Sequence, residues 1–274
     1  MARVHPTAIV DPAAELADDV EVGPYCIVEG DVKIGPGCRL RSHVVLRRYT
    51  TLGKGNFLDA FVSLGGEPQD YKFDPATVTY LRIGDNNIMR EAVTISRATG
   101  KGNATVVGSG TYWMVGSHAG HNVVVGDRVV LVNSVGVAGH AEIGARAILS
   151  GHVLVHQYTW IGEMVMSQGN AATSMHVPPY CLFAGINQVA GLNTVGLQRA
   201  EQITAEDRKQ IKEAFALTYR SGLSPAQALE KMDRCTDWGE AAGKFRRFVR
   251  RAMSAEPPYD RGLCRLRRRR GRSG

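Results

Sequence analysis

The chain has 274 residues, 44% hydrophobic and 22% charged, enough apolar content to bury a core in one or two domains and too much for a disordered chain. No stretch reaches the ~18 uninterrupted apolar residues of a membrane span, and the opening MARVHPTAIVDP lacks the basic-then-apolar order of a signal peptide, so the sequence reads as cytoplasmic without stable membrane insertion. The net charge of +7 is matched by seven arginines between Arg261 and Arg272, with no acid among them, which leaves the body near neutral and argues against nucleic acid as a partner.

From Val4 an aliphatic residue recurs at every sixth position, through Val10, Leu16, Val22, Val28, Ile34, Leu40, Leu46, Leu52 and Leu58 to Leu64. Residues 65–82 break this frame and predict a loop; it resumes at Ile83, Met89 and Ile95, breaks again over 97–104, and then runs from Val107 to Ile161. Two residues before each late aliphatic position stands a small or β-branched residue, from Thr105 to Thr159, as a tight pleated wall requires. Gly108, Gly126, Gly144 and Gly162 mark every third hexapeptide, so one coil of three short strands takes 18 residues. Such coils stack into a triangular prism, about ten of them to residue 190 and ~48 Å long at the parallel strand spacing. No helical period fits this region, which excludes an α-solenoid.

After the rod the period changes. Thr204 to Asp207 reads as a capped helix start, Ser224-Pro225 as a second, and residues 240–253 as a third helix with Phe245, Phe248, Val249 and Met253 on one stripe. The expected class is therefore an all-β solenoid followed by a small α-helical domain: residues 1–195 as rod, 196–258 as helices, and 259–274 as a loose basic tail. The five cysteines are scattered without a C-x-x-C pair, which predicts reduced thiols, mostly buried.

Five of the eight histidines crowd into residues 118–156: His118, His121, His140, His152 and His156. The 18-residue coil lays Gly139 over His121, with Gln157 above, and His140 over Asn122. A neutral imidazole beside a backbone N–H donor suits acyl transfer, in which the base takes a hydroxyl proton and the N–H stabilises the oxyanion. Three histidines can also hold Zn²⁺, so a metal site stands as the competing reading, with ordinary wall histidines as a third.

The segments VHPTAIV, IGPGCRLRSHVVL, GEPQDYKF, MREAVTISR, HAGHNVVVGD, VGVAGH, VLVHQYTWIG, VPPYCLFAG and GLNTVGLQR resemble the UDP-N-acetylglucosamine O-acyltransferases that begin lipid A synthesis. This resemblance implies a left-handed parallel β-helix and a homotrimer with active sites between subunits. It also implies transfer of an (R)-3-hydroxyacyl group from acyl carrier protein to the glucosamine 3-hydroxyl, with no cofactor. By resemblance, His121 matches the general base and Gly139 the oxyanion donor. Asp70, Lys72, His118, His140, Gln157, Asn193 and Arg199 match positions near the nucleotide sugar, and His156, Met166 and Gly169 match the acyl channel, where the small Gly169 implies a long chain. The basic residues Lys244, Arg246, Arg247, Arg250 and Arg251 are then expected to receive the acidic carrier protein, and removal of residues 261–274 to matter little.

Three departures stand out. Asn122 replaces the usual aspartate beside the base, Ser96 replaces a usual histidine, and GINQVAGLN is one residue shorter than its counterpart and lacks a histidine. They admit a 3-amino sugar nucleotide as acceptor. A γ-type carbonic anhydrase is the metal-dependent alternative on the same fold, while the related N-acyltransferase carries a uridine-binding domain for which the frame, starting at Val4, leaves no room.

Overall fold

The computed structural model describes residues 1–267. Short strands are laid in turn on three faces of a triangular parallel β-helix, each face one sheet. Partners in neighbouring coils are 18 residues apart: Val4 lies beside Val22, Ile9 beside Ile27 and Glu15 beside Lys33. The aliphatic residue of each hexapeptide and the small residue two before it both point inward, as in the fully buried pairs Val62 and Leu64, Val129 and Leu131, and Val135 and Val137. Each buried Val or Leu contributes about 1.5–3 kcal/mol, so the repeated inward pair is what holds a rod of two-residue strands together. Cys26 and Cys38 occupy the small inward position, where they donate to the Arg41 and Gly53 carbonyls and burial pushes both thiols up.

Many corners turn through a left-handed residue that is not glycine; Asn122, His140 and Tyr158 have φ of 59°, 60° and 61°. That conformation costs an L residue about 1–2 kcal/mol, and Asn and His are among the types that tolerate it best.

Two excursions lengthen the coil, the first with a bulge between Leu64 and Gly66 where it leaves the strand. Ser63 pairs with Thr94, a step of 31 residues, and Arg82 with Val106, a step of 24. The chain between the strands Ser63–Gly66 and Tyr80–Ile83 forms the first loop, and that between Thr94–Ser96 and Ala104–Val107 the second.

At the top, the strand Cys181–Ala184 turns back as an antiparallel hairpin with Gln188–Leu192, which covers the last parallel edge of the first face. Four helices follow: α1 (Thr194–Arg199), α2 (Ala205–Tyr219), α3 (Pro225–Asp233) and α4 (Glu240–Met253). Thr204 with Asp207 and Ser224 with Gln227 form complete capping boxes at α2 and α3, and Ile211, Phe215, Met232, Phe245 and Val249 are buried among α2, α3 and α4. The short α1, absent from the helical periodicity, is capped by Asn193, whose side chain accepts from the Gly196 N–H. Among the described residues no helix is long and apolar enough to cross a membrane.

One expectation needs correction. Residues 259–267 are built into the fold: the Tyr259 carbonyl accepts from His176 Nε2 at 2.8 Å, Cys264 is buried, and Arg265–Leu266 pair in parallel with Gln188–Val189. Backbone groups of Tyr259, Cys264, Arg265 and Arg267, with the buried Cys264 side chain, make these contacts; Arg268, Arg269, Arg270 and Arg272 lie outside the described residues. The cations of α4 find partners within the chain, while the side chains of Arg247, Arg250 and Arg251 stay about half exposed. Lys244 pairs with Glu163, Arg247 with Glu240, Arg250 with Asp233 and Arg251 with Glu142, while Arg246 donates to the Met232 and Cys235 carbonyls. Charge patterning alone could not show that Lys244 and Arg251 would find partners on the rod, Arg246 and Arg250 on α3 and the turn after it, and Arg247 within α4 itself.

Candidate active site

On the second face His118, Gly136, Leu154 and Ala172 stand in one register column, each one coil above the last. At the adjoining corner the segment Gly120-His121-Asn122 is followed one coil up by Ala138-Gly139-His140. A groove of about 620 Å³ runs over both, from Gln69 and His118 past His121 and Gly139 to Ile186 and Asn187. Its lower coils carry His118 and His121; higher up, Val137, Leu154, Val155 and Ile186 add apolar surface among His156, Gln157 and Asn187.

The His121 ring is held on its Nδ1 side. Its Nδ1 lies 2.9 Å from Asn122 Oδ1, which also accepts from the Thr99 N–H at 2.8 Å and the Thr99 hydroxyl at 2.9 Å. The Asn122 amide donates in turn to the Thr99 carbonyl at 3.1 Å, and its backbone N–H to the Thr105 hydroxyl at 2.8 Å. With its oxygen fixed by Thr99, Asn122 can only accept from His121, so Nδ1 carries the proton and Nε2 keeps its lone pair. The hydrogen bond that an aspartate would make is retained; its charge is not.

Gly139 is required by the same ring. A Cβ there would lie 2.8 Å from both Cε1 and Nε2 of His121, so any side chain would displace the imidazole. The Gly139 N–H donates to no acceptor among the described residues. A Cβ on Gly120 would stand 2.9 Å from that nitrogen, so glycine at 120 keeps it uncovered.

The neighbouring histidines are held neutral. Burial pushes His118 down, and its Nδ1 lies 2.8 Å from the Thr94 hydroxyl. Burial also pushes His140 down, helped by the adjacent His121 and partly opposed by Asp70. The His140 ring stacks on Tyr158 at 4.6 Å and meets His121 edge-on at 5.1 Å. The downward shift of both keeps permanent positive charge away from this part of the groove.

The structure gathers only part of the predicted set. His118, His121, Gly139, His156 and Gln157 line the groove, His140 abuts it, and Asp70 is near enough for its charge to act on His140. Lys72 extends over the exposed Tyr71 ring on the loop. The remaining residues lie elsewhere on the chain: Met166 is on the first face beside Ile148 and Leu182, Gly169 follows that strand, Asn193 caps α1, and Arg199 is exposed in its last turn. His152 also stays outside the groove lining. No group of three or more His, Cys, Asp or Glu side chains among the described residues is placed to hold a metal ion. Sequence reading missed Thr94, Thr99 and Tyr158. Thr99 was hidden in a loop with no period, and Thr105 looked like another wall residue.

The profile described as UDP-N-acetylglucosamine O-acyltransferase, domain 2, matches residues 176–264, and a bacterial transferase hexapeptide profile matches residues 13–48. The acyl-[acyl-carrier-protein]–UDP-N-acetylglucosamine O-acyltransferase of Thiobacillus denitrificans is 40% identical over 234 residues, covering 85% of this chain and 90% of that protein. The chain belongs to the UDP-N-acetylglucosamine O-acyltransferase family. The enzyme of the same name from Gloeothece citriformis is 42% identical, over 84% of this chain and 83% of its own. Among solved structures, the UDP-N-acetylglucosamine O-acyltransferase of Moraxella catarrhalis superposes with a TM-score of 0.87 at 37% identity, covering 96% of this chain and 99% of that one. The Francisella novicida UDP-N-acetylglucosamine acyltransferase gives 0.88 at 34% identity over 96% and 94%. Family membership thus extends over the β-helix and the helical region together.

Proposed function

We propose that this chain performs its family's reaction, the first step of lipid A synthesis, with His121 as general base. The acceptor is UDP-N-acetylglucosamine and the donor a 3-hydroxyacyl group held as a thioester on acyl carrier protein. The observation that carries the mechanism is the His121 ring, fixed through Nδ1 by Asn122 and lying with Nε2 over Gly139. Nε2 takes the proton as the sugar 3-hydroxyl oxygen attacks the thioester carbon. The carbonyl electrons move onto oxygen, and the Gly139 N–H donates to that oxyanion. When the tetrahedral intermediate collapses, the carbon–sulfur bond breaks and the carrier thiolate leaves with the proton from Nε2, which restores neutral His121. The upper part of the groove, with Leu154 and Ile186, accommodates the acyl chain.

The face carrying Met166 and Gly169 and the α1 residues Asn193 and Arg199 point to a second half-site. It would complete the groove of a neighbouring copy in a homotrimer, with Asn193 and Arg199 reaching the nucleotide and Gly169 bounding the acyl chain. A cytoplasmic location follows from the carrier-protein donor. The decisive assay is incubation with 3-hydroxyacyl carrier proteins of graded length and UDP-N-acetylglucosamine, or its 3-amino analogue, with products read by mass spectrometry. Absence of acylated sugar nucleotide with every pair would refute this function.

A further inference from the structure

Arg97 is a charged residue only 6% exposed, and no carboxylate meets it at hydrogen-bonding distance; the Glu67 carboxylate, itself largely exposed, comes no nearer than 3.9 Å. A guanidinium removed from water in this way must be satisfied by other oxygens or by ring faces. Arg97 has both. Its terminal nitrogens donate to the Thr77 carbonyl at 2.9 Å and the Pro75 carbonyl at 3.3 Å, and its plane lies 5.0 Å from the Phe73 ring centre and 5.6 Å from that of Tyr49. Its backbone N–H meets the Gly66 carbonyl at 2.9 Å, so one residue touches the start, middle and end of the first loop.

The loop has few other ties. Asp70 accepts from the Lys72 N–H and Asp74 from the Ala76 N–H, while Phe73 and Thr77 donate back to the carbonyls of Asp70 and Asp74. These bonds shape the loop locally and leave it unattached. Among the described residues, every hydrogen bond that leaves residues 67–77 ends on the Arg97 guanidinium.

We propose that Arg97 is a positioning residue for the acceptor, fixing the 67–77 loop so that Gln69, Asp70 and Lys72 face the part of the groove that carries His118 and His121. This rests on the nucleotide-sugar role proposed for Asp70 and Lys72. A lysine keeps the charge but presents one point donor in place of a planar fork, so it cannot hold two carbonyls and stack between two rings.

Arg97→Lys is therefore expected to raise KM for UDP-N-acetylglucosamine about tenfold, the scale of one lost charge-assisted hydrogen bond. KM for the acyl carrier protein and kcat should change by less than about threefold, since the base and acyl groove are untouched. Trypsin should cut after the exposed Lys72 correspondingly faster, a readout independent of turnover. Phe73→Ala, which removes one ring from the exposed side without altering the rod, should shift both measurements in the same direction and carries the test if Arg97→Lys fails to fold. An unchanged cleavage rate overturns the anchoring. Faster cleavage with an unchanged sugar-nucleotide KM overturns the positioning role. Asp70→Ala, assayed in parallel, separates the causes: if it raises KM the fault lies with Arg97, and if it does not, with the acceptor role of the loop.

Discussion

At the scale of single residues, three contacts govern His121: Asn122 at Nδ1, Gly139 against the other edge of the ring, and the neutral His140 beside it. Positioned proton transfer is worth roughly 10²–10⁴ in rate, so His121→Ala should lose at least a hundredfold in kcat with the melting temperature unchanged; retention of more than a tenth of the activity would remove the residue from its role. Asn122→Ala tests orientation without touching the base. It leaves the ring unheld and the Thr99 N–H unpaired, and should lower kcat about 10–100-fold while KM for either substrate moves far less. An equal loss in both parameters would point to a binding role instead. The stacking of Gly139 on His121 could be read from the 18-residue coil because register in a parallel rod is arithmetic. Thr99 and Arg97 could not, because they act from loops whose course depends on side-chain contacts that no repeat encodes.

Among the elements, α4 spans the residues the sequence predicts, and the last strand is the clearest departure from expectation. Charge reversal of Arg247 and Arg250 sets new acids against Glu240 and Asp233, so it should lower the melting temperature and affect the kinetics of both substrates together; a selective rise in KM for the carrier protein would mark α4 as its docking surface. Truncation after Pro258 removes Tyr259, Cys264 and the strand Arg265–Leu266, and should cost several degrees of thermal stability, whereas truncation after Arg267 keeps them all. His176 ties this segment to the rod. Its Nδ1 accepts from the Trp160 N–H and its Nε2–H donates to the Tyr259 carbonyl; burial pushes its pKa down, opposed by that Tyr259 hydrogen bond and by Glu142 and helped by Arg251 and Arg261. A histidine depressed in the folded state is protonated first in the unfolded chain, so its contribution is complete above the ordinary value of ~6.5 and is lost as pH falls below it. His118 and His140 act in the same direction. The melting temperature should therefore drop between pH 7.5 and 5.5, and His176→Gln should flatten that slope; an unchanged slope would mean that His176 does not set it. Capping boxes made α2 and α3 visible in sequence, while the six residues of α1 are too few to show a period.

For the whole molecule, the periodic core made the rod legible almost coil by coil, because a two-residue strand leaves each inward position only one environment. The separation of Met166, Gly169, Asn193 and Arg199 from the His121 groove was not legible from spacing, and under the proposed function it bears on assembly. If the half-sites meet only between copies, Gly169→Met in one subunit should shorten the preferred acyl chain in a groove whose His121 belongs to another. Co-expressed His121→Ala and Gly169→Met chains would then regain partial activity with long donors, and no recovery would place both residues in one subunit's groove. The two lengthened coils have a separate consequence, in the way such a protein diversifies. Extra residues enter and leave at a corner, with one bulge at Gly66, while the coils on either side stay paired, so an insertion there alters the lining of the groove but not the position of His121. Descendants of one rod can thus exchange loops and trade one sugar for another while inheriting the proton-transfer machinery intact.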